Sequence, residues 1–230
     1  MARTDAHRKK LQEVLRLLGR AHGPLPRRRR GEPIDVLVAT ILSQNTNGAN
    51  SSAAFGNLRE RFGDWEEVAD ASVGRIERCI HVGGLSRVKA PRIRSILRRI
   101  RREEGELRLD FLAGKRPEEA LAYLTGFEGV GAKTAQCVLL FAFGMQVFPV
   151  DTHIHRIAIR LGVLDAKVSA KRAHEALAPM IVPRDRHEMH VLLIDHGRRV
   201  CLARGPRCDR CVILRHCPFG RARVATGTAR

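Results

Sequence analysis

Apolar residues along this chain recur at three- and four-residue spacing and nowhere alternate convincingly with polar ones. Leu11, Val14, Leu15 and Leu18 fall on one helical face. The same period returns in VDTHIHRIAIRLGV, where Ile154, Ile157, Ala158 and Leu161 share a face. A chain with this period and no strand pattern buries its core by setting helix on helix. The expected fold class is therefore all-α, with about ten short helices. Helices are predicted over 6–20, 34–43, 52–62, 64–71, 73–82, 88–104, 117–125, the apolar run after Lys133, a segment restarting after Asp151, 170–180 and 186–201. A Pro- and Arg-rich linker is expected at 23–33, a turn at Gly83-Gly84, and a disordered tail at 221–230. With 230 residues the chain can form one large domain or two small ones.

Charge narrows the function classes. Lys and Arg number 42 against 24 Asp and Glu, a formal net charge of +18. A domain this basic meets a polyanion, and the spread of basic residues along the chain favours nucleic acid over a membrane surface. Only seven of the 42 are lysine, so arginine carries most of the charge. No stretch approaches the roughly 20 apolar residues of a membrane span. The first twenty residues hold no apolar signal core, which places the chain in the cytoplasm, or wherever the cell keeps its DNA.

The segment FEGVGAKTAQ, 127–136, combines a glycine turn with a lysine at the mouth of an apolar helix. Gly129 and Gly131 allow a tight turn and leave no Cβ in the way of a ligand. Free N–H groups at the start of the next helix form an anion site, and phosphate is the obvious anion. Lys133 lies in the first turn of that helix. The partial positive charge there, with partial burial, disfavours an ammonium and favours the free amine of a nucleophile. The same ten residues are equally compatible with a plain helix–helix corner. Eighteen residues on, Asp151 precedes an amphipathic helix. It can serve as its N-cap, as a carboxylate that stabilises a cationic sugar, or as both. His153 can face the same ligand.

Cys201, Cys208, Cys211 and Cys217 follow the spacing C-x6-C-x2-C-x5-C. The uneven distribution of the six cysteines argues against a disulfide framework. Four thiolates in so short a span can wrap a metal centre, and the spacing alone leaves zinc and a [4Fe–4S] cluster open. The six-residue loop carries Arg204 and Arg207, which can clamp phosphate or balance thiolate charge.

Together, FEGVGAKTAQ, PVDTHIHR and the cysteine spacing resemble the endonuclease III family of DNA glycosylases over roughly 33–219. The resemblance implies two helical domains flanking a DNA cleft. A six-helix barrel with the helix-hairpin-helix would span 32–146. A [4Fe–4S] domain would combine 1–31 with 147–230, with Arg27–Arg30 crossing between them. It implies Lys133 and Asp151 as catalytic residues and the four cysteines as cluster ligands. ILSQNTN and GGLSRVKA are similar to the segments that insert residues into the duplex, here Gln44 and Leu85. Gly129, Gly131, His153, Arg204 and Arg207 would contact DNA. The implied activity is a bifunctional glycosylase and AP lyase, a monomer acting on oxidised pyrimidines or abasic sites in double-stranded DNA. A monofunctional adenine or mismatch-thymine enzyme, and a non-catalytic DNA-binding protein, are the alternatives. Three positions depart from the family pattern. Glu128 stands where the hairpin commonly has Pro, Asn47 where many relatives have Asp, and Gly205 where another basic residue is frequent.

Overall fold

The computed structural model describes residues 2–23 and 31–227. Among these the regular elements are all helical, twelve α-helices with short 3-10 and π turns between them. The all-α class predicted from periodicity is the one observed. The chain divides into two compact units, Arg30–Met145 and Met1–Arg29 with Gln146–Arg230. The Arg27–Arg30 stretch, expected to cross between domains, lies outside the described residues.

The unit Arg30–Met145 is built around α2 (Pro33–Leu42). None of its ten residues is exposed. Ile34, Leu37, Val38, Ile41 and Leu42 are fully buried against α3 (Gly48–Arg61), α6 (Ser86–Glu104) and α8 (Ala132–Val138). Helices α4 (Trp65–Asp70), α5 (Val73–Ile80) and α7 (Pro117–Thr125) complete the unit. The long α6 buries Ala90, Ile93, Ile96, Leu97 and Ile100 on one stripe and turns its arginines outward.

Caps explain where the boundaries fall. Asn47 Oδ1 accepts the Asn50 N–H at 2.9 Å, so α3 starts four residues earlier than its apolar pattern suggests. Asn caps as well as Asp does, which removes any structural cost of that departure. Asp64 caps α4 through the Glu67 N–H at 2.8 Å. The apolar run after Lys133 is not one uniform helix. It widens into a π turn at Leu139–Phe143 and stops at Gly144, where φ is +68°.

The second unit packs α11 (Arg186–Arg199) against α1 (Ala2–His22) and α9 (Thr152–Arg160), with α10 (Ala170–Leu177) beside α9. Leu11, Val14 and Leu18 of α1 meet Ile154, Ile157, Met189, Leu192 and Leu193 in one core. The expectation of a disordered 221–230 is corrected by α12 (Pro218–Ala225). Periodicity hid it because its anchor is aromatic and cationic rather than aliphatic. Pro218 starts the helix, and the guanidinium groups of Arg160 and Arg223 lie 4.5 and 5.8 Å from the Phe219 ring centre. Residues 228–230 lie outside the described residues.

No helix among the described residues is long and apolar enough to cross a membrane. Leu97 sits at 0% exposure in the stripe of α6. Leu97→Ala is expected to remove about 2–5 kcal/mol of stability, read as a lower urea midpoint at unchanged activity per folded molecule.

Candidate functional site

The hairpin between α7 and α8 is set by one glycine. The Val130 N–H bonds to the Phe127 carbonyl at 3.1 Å, closing a four-residue turn with Gly129 third. Gly129 has φ +78°, the left-handed value that this turn position demands. A Cβ there would also strike Arg92, whose Cδ and Nε would lie 2.8 and 2.9 Å away. Phe127 and Val130 are buried and pin the turn to the core. Glu128, second in the turn, is exposed, and its carboxylate lies 3.7 Å from Arg92 Nε. The negative charge that this departure brings therefore has a cation beside it.

Gly131 differs from its neighbour. Its φ is −83°, and an added Cβ would meet nothing within 4 Å. The expectation that both glycines make the turn is thus corrected, because Gly129 alone needs its conformational freedom. Among the described residues nothing explains the bare backbone at Gly131, whereas a ligand approaching closely would.

Lys133 is the second residue of α8 and is half-buried. Among the described residues no carboxylate of its own unit pairs with it. Gln44, at the end of α2, reaches the same hairpin. Its Nε2 donates to the Gly129 carbonyl and to Thr134 Oγ1, both at 3.1 Å. The structure thus brings Gln44, Gly129, Gly131 and Lys133 together. Leu85 is presented separately, on the turn before α6. It is 52% exposed, with Val82 and Val88 exposed beside it, which rules out a buried turn residue. Asn45 (φ +53°) and Leu85 (φ +51°) are the two non-glycine positions with positive φ among the described residues. Left-handed backbone costs a leucine about 1–3 kcal/mol, and such strain gathers at functional positions.

In the other unit, Asp151 is the N-cap of α9. Its Oδ1 accepts the Ile154 N–H at 2.8 Å. Two buried histidines that sequence reasoning missed fix the backbone just before it. His174 Nδ1 accepts the Val150 N–H at 3.0 Å, and His190 Nδ1 donates to the Pro149 carbonyl at 2.9 Å. Nδ1 is therefore unprotonated on His174 and protonated on His190. Their signal was faint, since a histidine within a helix reads as one more polar residue until its neighbours are known. His153 is half-buried, receives Arg156 Nη2 at Nδ1 (3.1 Å) and packs against Gly197, where an added Cβ would lie 2.7 Å from its own.

The four cysteines of the predicted motif line one pocket with Leu161, Ile213 and Phe219. No disulfide joins them. Burial pushes the thiols of Cys208 and Cys217 up and that of Cys211 up to about 12. Arg160 Nη1 donates to Cys201 Sγ at 3.2 Å, and the Gly220 N–H to Cys217 Sγ at 3.3 Å. His196, pushed down to about 4 by burial and so neutral, has Nε2 3.6 Å from Cys211 Sγ. The guanidinium that bonds a cysteine sulfur is thus Arg160, not Arg204 or Arg207, which are both exposed. Arg156 and Arg160, one turn apart on α9, also bond the carbonyls of Cys201, Leu202 and Ala203. Gly205, with φ +58°, has a backbone reason to be glycine. Among the described residues no three His, Cys, Asp or Glu side chains converge so as to hold a single ion.

Residues 38–182 match the model of the HhH-GPD superfamily of base excision DNA repair proteins. An endonuclease III of Sulfolobus acidocaldarius is 35% identical over 185 residues, 80% of each chain. The chain spans 56% of the length of a 39%-identical Arabidopsis thaliana relative, over 72% of its own. A solved non-covalent endonuclease III–DNA complex superposes with a TM-score of 0.79 at 25% identity, covering 95% of this chain and 98% of that one. A trapped covalent endonuclease III–DNA intermediate gives 0.78 at 25%, covering 94% and 98%. The chain belongs to the HhH-GPD superfamily of base excision DNA repair proteins, and within it to the endonuclease III family.

The two hairpin glycines are expected to separate on substitution. Gly129→Ala should lower stability by about 1–3 kcal/mol, because an alanine is strained at that φ. Gly131→Ala should stay within about 0.5 kcal/mol of wild type. Chemical denaturation of the two variants side by side checks this.

Proposed function

We propose that this protein is a bifunctional DNA glycosylase and AP lyase that removes oxidised pyrimidines from duplex DNA. The observation that carries the reading is Lys133, half-buried in the first turn of α8 directly behind the Gly129 turn, with no carboxylate of its own unit to neutralise it. Its amine would attack C1′ of the flipped nucleotide as the base departs. The sugar ring opens to a Schiff base, and β-elimination then breaks the C3′–O bond. Asp151 would stabilise the cationic sugar through the carboxylate oxygen that its cap bond leaves over, and would assist proton transfer.

Gln44 and Leu85 would enter the duplex and fill the gap left by the nucleotide. The bare backbone at Gly131 supports a phosphate on the hairpin, and exposed Arg204 and Arg207 suit further phosphate contacts. His153 would contact the DNA. The protein would act as a monomer, in the compartment that holds the DNA.

The cysteine pocket fits a [4Fe–4S] cluster. Four cysteines lining one pocket can supply one thiolate to each iron. Cys201, Cys208, Cys211 and Cys217 would hold the cluster, with Arg160 donating to the Cys201 sulfur and the Gly220 N–H to the Cys217 sulfur. Bound there, it supplies structural cohesion to the loop of Arg204 and Arg207.

Borohydride added to protein with a thymine-glycol duplex should trap a covalent protein–DNA band. Lys133→Gln should abolish that band while retaining DNA binding. Base loss without a trapped band or strand cut would instead identify a monofunctional glycosylase, and an intact lesion strand a non-catalytic binder.

DNA affinity should fall steeply with salt, and Arg204→Ala should reduce the slope of log K against log salt by about one. Gly131→Ala should weaken binding despite its unchanged stability. The purified protein should be brown, and Cys211→Ser should lose the visible absorption.

A further inference from the structure

Lys89 is a buried cation that the activity above does not use. It sits on the inner stripe of α6 at 2% exposure. Its Nζ donates to the Leu42 carbonyl at 2.7 Å and to the Gly83 carbonyl at 2.9 Å. No carboxylate pairs with it among the described residues, and burial pushes its pKa down. A buried charge without a counter-ion is costly, and an apolar side chain of similar length would pack there at less expense. The two carbonyls explain its place.

Leu42 is the last residue of α2, so its carbonyl is one that the helix cannot satisfy internally. Gly83 closes the 3-10 turn after α5, pressed so closely on α3 that a Cβ would lie 2.9 Å from that of Ala54. Beyond Leu42 the chain runs through Ser43 and Gln44 to Asn45, where φ turns positive. Beyond Gly83 the next two residues, Gly84 (φ +66°) and Leu85 (φ +51°), both have positive φ. One ammonium therefore grips the root of each turn, just before its strained residue.

We propose that Lys89 is a positioning residue for strand intrusion: it ties the turn presenting Gln44 to the turn presenting Leu85, so that both side chains enter the duplex as one rigid element. This rests on the reading of Gln44 and Leu85 as intruding residues. Rigidity matters because two loosely held probes must each be ordered as they insert, and that ordering adds to the barrier. Lys89 touches no DNA in this account and acts only through the two turns.

The test is stopped-flow fluorescence with a duplex carrying 2-aminopurine beside a tetrahydrofuran abasic-site analogue, which reports unstacking rather than chemistry. Full-length wild type, Lys89→Met, Leu85→Ala, Gln44→Ala and the Lys89→Met/Leu85→Ala double variant are compared. Lys89→Met should slow the fluorescence rise about tenfold, the effect of leaving two buried carbonyls without a donor. Its affinity for undamaged duplex should stay within about threefold of wild type, because phosphate contacts carry that binding. Leu85→Ala should add little further slowing in the Lys89→Met background.

A wild-type rise in Lys89→Met, or full multiplication of the two effects, overturns the proposal alone. Leu85→Ala and Gln44→Ala both rising at the wild-type rate overturn the intrusion reading and this proposal with it. Lys89→Gln, which keeps a donor in the cavity, is read if Lys89→Met does not fold. It should give a smaller slowing with the same split between rate and affinity, and no slowing overturns the proposal.

Discussion

Helix α2 has no face that it leaves in water, and the unit around it follows from that constraint. Ile34, Leu37, Val38, Ile41 and Leu42 are buried, and the other five residues are at least half-covered. Burying a ten-residue apolar helix requires partners on every side, which α3, α6 and α8 supply. Its C-terminus then becomes a fixed point. From it Gln44 reaches the hairpin turn and Thr134, while the Leu42 carbonyl receives the ammonium of Lys89. The lysine of α8 is held near this point because α8 packs directly on α2.

Helix α9 organises the other unit in a similar way. Its apolar face, Ile154, Ile157 and Ala158, is fixed in the core. At its start Asp151 caps the helix, on backbone held by His174 and His190. At its far end Arg156 and Arg160 gather the carbonyls of Cys201, Leu202 and Ala203, and Arg160 also bonds a cysteine sulfur. A nine-residue helix thus joins the candidate carboxylate to the cysteine loop.

Much of this was legible in the chain, and for identifiable reasons. Helices α1 and α9 announced themselves by the spacing of their apolar residues, because a stripe at 3.6-residue period has few other solutions. The four cysteines were legible because their chemistry is rare and close in sequence. Helix α12 was not, since a ring between two guanidinium groups leaves no periodic trace. Lys89 was equally invisible, because a lysine in an arginine-rich helix reads as one more solvated charge until its neighbours are known. The difference between Gly129 and Gly131 was also hidden, because two glycines look alike until their φ angles and surroundings are compared.

The sequence by itself determined the all-α class, the strongly basic surface, the glycine hairpin with its lysine, the aspartate cap and the cysteine set. These are local in the chain, and their physics is local too: helical period, capping, turn geometry and ligand chemistry. Only the tertiary structure decided which carbonyls Lys89 bonds, that Gln44 docks on the hairpin, that Leu85 stands exposed on strained backbone, and that Arg160 faces the sulfurs while Arg204 and Arg207 face solvent. Those are contacts between residues far apart in sequence, and they exist only because burial of the helices brings their ends to the same place.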